Sequence, residues 1–117
     1  MRSTNPEMIS MIRFLRKKSN ETGTALWGVL AKKFEKSKHA RISVNLSRIN
    51  RYTSENEKVV VPGKVLGSGT LDHKIHIAAF SFSKEARRKI EQIGGVCLTI
   101  PFLVEQTMNG SGIKIIE

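Results

Sequence analysis

Apolar positions along the chain follow two rhythms. Near the start, Met8, Ile12 and Leu15, joined by Met11, recur at helical spacing, while Arg13, Arg16 and Lys17 occupy the other side. Asn5 as cap, Pro6 at the first helical position and Glu7 in the first turn mark where this helix begins, and it is expected to run to about residue 18. Residues 19–23 read as a short polar turn. Thr24 then caps a second helix with Leu26, Leu30 and Phe34 in one row and Trp27 beside them. So short a connection predicts an antiparallel pair. Residues 36–41 follow as a basic, extended connector whose largest apolar residue is Ala40.

Beyond it the period shortens to two. Ile42, Val44 and Leu46 alternate as a short strand, after which Leu46 and Ile49 fit a turn or two of helix, capped by Asn45 or Ser47 and ending near Tyr52. Residues 58–61 predict a strand ended by Pro62-Gly63, and residues 64–66 a second one ended by Gly67-Ser68-Gly69. Residues 74–82 alternate Ile75, Ile77 and Ala79 against His76, Ala78, Phe80 and Phe82; two largely apolar faces predict a central strand covered on both sides. Ser83 caps a helix over 84–93 with Ala86, Ile90 and Ile93 inward, and Gly94-Gly95 ends it. A buried strand over 96–98, a short helix capped by Thr99 with Phe102 and Leu103, and a closing strand over 113–116 complete the chain. The fold class is therefore α/β: an N-terminal helical pair, then a compact mixed core of short strands and helices. One domain over 1–117 is expected, with a basic helical part (1–41) and an α/β core (42–117).

Charge sharpens this picture. The net charge is +10, and it is unevenly placed: residues 1–52 hold 12 Lys/Arg against 3 Glu, a net of +9, whereas residues 53–117 hold 8 against 7 acids, a net of +1. Between Glu35 and Glu55 five fixed cations (Lys36, Lys38, Arg41, Arg48, Arg51) meet no acid. A solvated face mixes its signs, so this ridge predicts a polyanionic partner, with Lys38 and Arg41 among the contacts. A single cysteine, Cys97, excludes an internal disulfide. No apolar run reaches the ~18 residues of a membrane span, and residues 1–7 lack the apolar core of a signal peptide, which predicts a cytoplasmic protein with no membrane partner.

Several chemistries fail on spacing. A phosphate-binding loop needs Ser or Thr after its Gly-Lys, but Val65 follows Gly63-Lys64; the dinucleotide fingerprint needs a glycine where Asp72 stands, and a helix where a strand follows. Asp72-His73 has no serine or second carboxylate nearby to make a triad, and His39, His73 and His76 lack metal-ligand spacing. His73 reads as a loop donor to phosphate or a structural contact to Asp72, and His76 as a partly buried strand residue. Phe80-Ser81-Phe82 lacks the glycines and basic residue of an RNA-recognition motif, so core is favoured. Cys97, between Val96 and Leu98, reads as a small buried hydrophobe, and Trp27 as core or as an anchor for the connector. No catalytic residue, cofactor, metal or small-molecule substrate is expected.

Two segments remain. Residues 44–52 (VNLSRINRY) alternate arginines with small amides and hydroxyls, and residues 61–74 (VPGKVLGSGTLDHK) combine glycines, which let backbone N–H groups approach an anion, with two lysines. Together with residues 78–83 (AAFSFS), they resemble the ribosomal protein L-eighteen-e family of the archaeal and eukaryotic large subunit. The N-terminal helix and the Gly94-Gly95 turn fall where that family has them, and the short length resembles its archaeal form. The resemblance implies the fold shared with ribosomal protein fifteen, binding to ribosomal RNA, neighbouring large-subunit proteins as partners, and no catalysis or cofactor. By matching position it implies RNA contacts at Asn45, Ser47, Arg48, Asn50 and Arg51, and at Lys64, Gly67, Gly69, His73 and Lys74. The alternative is a nucleic-acid- or protein-binding module outside the ribosome, which would need a ligand site or regulatory segment of its own.

Overall fold

The computed structural model describes residues 6–37 and 42–117. Helix α1 (Pro6–Thr22) and helix α2 (Ala25–Ser37) form the N-terminal pair. Ile12 and Leu15 of α1 are buried against Trp27, Leu30, Ala31 and Phe34 of α2. Ser19 lies against Gly28 and Arg16 pairs with Glu35, an order that makes the two helices antiparallel. Asn5, the expected cap, lies outside the described residues. α1 runs four residues past its expected end. Residues 19–22 hold no breaker, and packing of Ser19 on Gly28 keeps the turn helical; Gly23, at φ +72° and bonded to the Ser19 carbonyl at 2.9 Å, then ends it. The Thr24 hydroxyl donates to the Met108 carbonyl at 2.7 Å, as does the indole N–H of the fully buried Trp27 at 2.9 Å.

The remaining elements are β1 (Ser43–Asn45), α3 (Leu46–Tyr52), β2 (Lys58–Leu66), β3 (His76–Phe82), α4 (Lys84–Gln92), β4 (Val96–Thr99), α5 (Ile100–Gln106) and β5 (Ile113–Ile115). All strand pairings are parallel. β2 is central: β3 lines one of its edges, followed by β4, while the other edge is shared end to end by β5, opposite Lys58–Val60, and β1, opposite Lys64–Leu66. The two strands expected at 58–61 and 64–66 are thus one strand. Its register against β3 shifts between Val61 and Lys64, and Pro62-Gly63 fill that irregularity. A proline is tolerated there because it falls where β5 has ended and β1 has not begun, so its missing N–H breaks no ladder bond.

Helices cover both faces. Val59, Val61 and Val65 of β2 and Ile77 and Ala79 of β3 pack with Leu46 and Ile49 of α3 and Ala86 and Ile90 of α4. Val60 and Ala78 point the other way, into Leu15, Phe34, Ile100, Leu103 and Val104. β3 is covered on both sides, as its two apolar faces predicted. Burying each such large side chain contributes roughly 1.5–3 kcal/mol. Two expectations at the far edge are corrected. Ile93 is 37% exposed, one residue past the end of α4, and β4 is not buried: Val96 is 39% exposed because β4 is an edge strand paired only with β3. Cys97 is half-buried, and desolvation pushes its thiol pKa up, which disfavours the thiolate. Ser83 and Thr99 do cap α4 and α5, accepting from the backbone N–H groups of Ala86 and Phe102.

Candidate nucleic-acid interface

β2 and β3 are parallel neighbours, so the chain must return the length of the sheet between them. It does so in residues 67–75, fewer than the dozen or more that such a crossover ordinarily takes. The result is a taut strap, anchored by the buried Leu71 and Ile75, that lies alongside α3. At its start the Ser47 N–H donates to the Ser68 carbonyl at 3.1 Å, and Gly69 comes so close to Ser47 that only a glycine fits. In the middle, the Asn50 side chain accepts from the Asp72 N–H at 3.0 Å and donates to its carboxylate at 3.4 Å. At the end His73 bridges the two, with Nδ1 2.8 Å from Asp72 and Nε2 2.7 Å from the Thr53 hydroxyl. The two sequence segments singled out above are one surface.

This zipper divides the expected contact residues by what their side chains are free to do. Asn50, Gly67, Gly69 and His73 build the surface itself: Asn50 and His73 are bonded within it, Gly67 is buried against Glu85, and Gly69 is the close approach. Asn45 and Ser47 are exposed, and Asn45 makes no capping bond. Arg48 is exposed but oriented: its Nε donates to the Glu117 main-chain oxygen at 3.0 Å, and its guanidinium lies 5.3 Å from the centre of the Tyr52 ring. Arg51 and Lys74 are exposed and their side chains form no hydrogen bond or ion pair among the described residues. Lys64 is also exposed, with no side-chain partner among the described residues, but it alternates with Val65, which is buried on the α3 side, and so stands on the other face of β2. Lys38 and Arg41 lie outside the described residues.

One contributor was not visible beforehand. The ammonium of Lys89, on α4, donates to the carbonyls of Gly67 at 2.7 Å and Gly69 at 2.9 Å, clamping the start of the strap. In sequence it is an ordinary helix-surface lysine, and nothing local distinguishes it from Lys84. Thr53 was missed for the same reason. Its hydroxyl completes an Asp72–His73–Thr53 line that has the order of a catalytic triad. A hydroxyl has one hydrogen, however, and Thr53 gives it to the Ile49 carbonyl at 2.7 Å. Thr53 therefore meets His73 as an acceptor, which holds the ring and leaves no activated nucleophile. Replacing His73 by Gln, which keeps a donor near Asp72 or Thr53, should cost less stability than His73→Ala, which keeps none, a hydrogen bond being worth about 1 kcal/mol; equal unfolding midpoints for the two variants would remove the bridge from the fold.

His73 is also the leading cause that holds the Asp72 carboxyl below its usual pKa, with Asn50 second. A carboxylate whose folded pKa is depressed stabilises the fold fully above its unfolded value, and that contribution disappears as pH falls through the folded value. The zipper should therefore hold at pH 5 and loosen below about pH 4. In Asp72→Asn that acid-limb loss should shrink; an unchanged acid limb would show that Asp72 is not its source.

The fold and this surface define a basic α/β protein whose candidate site is made of cations and hydrogen-bonding groups on a rigid ledge. The family model described as "Ribosomal protein 60S L18 and 50S L18e" matches residues 1–117. Among curated relatives, "Large ribosomal subunit protein eL18" of Methanothermobacter thermautotrophicus is 52% identical over 114 residues, covering 97% of this chain and 94% of the relative. Proteins of the same name from Methanococcus maripaludis (42% over 113 residues; 97% and 94%) and Archaeoglobus fulgidus (39% over 115 residues; 98% of each) are similar throughout. The chain belongs to this ribosomal protein family, and it is a structural, non-enzymatic component of the large subunit. Its place is the cytoplasmic ribosome. No helix among the described residues is long and apolar enough to cross a membrane.

Proposed function

We propose that the chain binds the ribosomal RNA of the large subunit chiefly through phosphates, using the ledge of α3 and the strap together with the basic N-terminal half. The observation that carries this is the division of labour on the ledge. Asn50, Asp72, His73 and Lys89 are spent on rigidity, while Arg51 and Lys74 stand exposed without side-chain partners among the described residues. By contrast, many other cations are already paired: Arg16 with Glu35, Lys18 with Glu105, Lys33 with Glu117, Lys114 with Glu57. Unpaired cations on a pinned surface suit a backbone of regularly spaced charges, and phosphate contacts fix position without reading sequence. Arg48, held by Glu117 and Tyr52, is pre-aimed, with its terminal nitrogens left for a bidentate phosphate contact. Lys64 extends the contact to the second face of β2, and Lys38 and Arg41 extend it along the connector. Neighbouring large-subunit proteins are the other partners in this reading.

Filter binding of the full chain to protein-free large-subunit RNA across a salt series tests it. Removing one phosphate-binding cation should lower the log–log salt slope by about 1, so Arg51→Ala, Lys74→Ala and Arg48→Ala should each weaken binding and flatten the slope by that amount. Arg16→Ala, whose guanidinium already pairs with Glu35, should leave the slope in place. If Arg51→Ala, Lys74→Ala and Arg48→Ala all keep the wild-type slope and affinity, the ledge is not the RNA-binding surface.

A further inference from the structure

A cavity of about 270 Å³ opens beside the ledge, between the strap and the last turns of α4. It is smaller than the ~300 Å³ at which pockets for drug-sized ligands begin. Leu71 and Ile93 supply its apolar lining, and Thr70, Arg88 and Gln92 bring a hydroxyl, a guanidinium and an amide. Its wall is fixed by the same clamp that fixes the strap, since Lys89 lines the cavity while donating to Gly67 and Gly69. Ile93, expected inward, stands 37% exposed at this opening.

We propose that this cavity seats one unstacked base of the RNA, a subsite that rests on the rRNA-binding reading above. The lining chooses the class of ligand. A bare phosphate would gain nothing from Leu71 and Ile93, and an aliphatic side chain would strand the polar groups. A base has two apolar faces and a polar edge. Its faces fit against Leu71, Ile93 and the flat guanidinium of Arg88, a stacking partner for extruded bases. Its edge meets the Gln92 amide, which offers both a donor and an acceptor and is tied only by a long 3.4 Å contact from Arg88. No acid lines the cavity, and Arg88 and Lys89 favour the phosphates that flank such a base. Gly69 belongs both to the cavity wall and to the ledge, so a strand held on the ledge passes the opening.

Base-specific chemical probing of large-subunit RNA bound to the full chain tests this. Wild-type protein should protect the pairing edge of one unpaired nucleotide; Ile93→Asp and Gln92→Ala should restore its reactivity and weaken binding by roughly tenfold, with backbone protections elsewhere unchanged. Gln92 is exposed and Ile93 37% exposed, and circular dichroism checks that each variant keeps the fold, Gln92→Ala standing alone as the test should Ile93→Asp not keep it. Two results would overturn the proposal while leaving phosphate binding on the ledge intact. One is no protected base in the wild-type complex. The other is a protected base that stays protected in both variants, including the case in which Ile93→Asp only weakens incorporation of a neighbouring protein into subunits. Absence of any RNA binding by the wild type would instead defeat the rRNA-binding reading, and the base seat with it.

Discussion

Gly63→Ala should destabilise the protein by about 1–3 kcal/mol, the range of a substitution that overpacks a well-packed core. A Cβ at Gly63 would stand 2.2 Å from the Ile42 carbonyl oxygen and 2.9 Å from the Ile42 carbonyl carbon. That oxygen is the acceptor for the Lys64 N–H at 2.9 Å, the first bond joining β1 to β2. A backbone atom cannot rotate away as a side-chain tip can, so β1 must move. Because β1 is three residues long and α3 follows it directly, the displacement reaches the ledge. Denaturant unfolding measures the loss, and RNA affinity should fall with it. A change below about 0.5 kcal/mol, the range of surface substitutions, would show that the approach of Gly63 to Ile42 is slack.

Gly69→Val should do more harm to function than to stability. Gly69 sits at φ +93°, a region L side chains rarely adopt, and a Cβ there would lie 2.5 Å from the Ser47 Cβ and 2.8 Å from its nitrogen. The strain is of the order of 1–3 kcal/mol. Relief comes from lifting the strap off α3, which breaks the bond from Ser47 to Ser68 and misplaces Gly69 against the Lys89 clamp. RNA affinity and incorporation into large subunits should both fall by tenfold or more, on the order of the 1.4 kcal/mol that each factor of ten represents. Gly67 carries the steric half of this problem without the backbone half, since its Cβ would press on Glu85 at 2.7 Å but its φ is not positive. Gly67→Val should therefore be the milder of the two. Wild-type incorporation of Gly69→Val would mean that the strap can leave α3 without consequence.

Much of the molecule was legible because its signals are local. The 3.6-residue stripe of Met8, Ile12 and Leu15, the period of two from Ile75 to Phe80, the Ser83 and Thr99 caps and the Gly94 turn each act within a few residues, and each stands where expected, whereas Phe82, at the end of β3, packs on the Ile77 side instead of with Phe80. The departures all have non-local causes. α1 continues to Thr22 because Ser19 meets Gly28; β2 survives Pro62 because two different strands share its edge; Val96 is exposed because it opens an edge strand paired only with β3.

The same boundary runs through the candidate site. Composition and order alone determined that the chain is basic, that its charge is concentrated before residue 52, that it lacks the spacing for a nucleotide loop or metal centre, and that residues 44–52 and 61–74 matter together. Only the tertiary structure decided what each residue in them does. Asn50 and Asp72 are 22 residues apart, as are Lys89 and Gly67, and no local rule links them. Residue type reports what a side chain can bind, whereas its partner is set by which segments the parallel crossover brings side by side. Asn50, placed against RNA by the family resemblance, and His73, open in sequence between a phosphate contact and a contact to Asp72, hold the strap to α3, and Arg51 and Lys74 stand exposed beyond it, because a hydrogen-bonding group that meets a partner within the fold is no longer free to meet one outside.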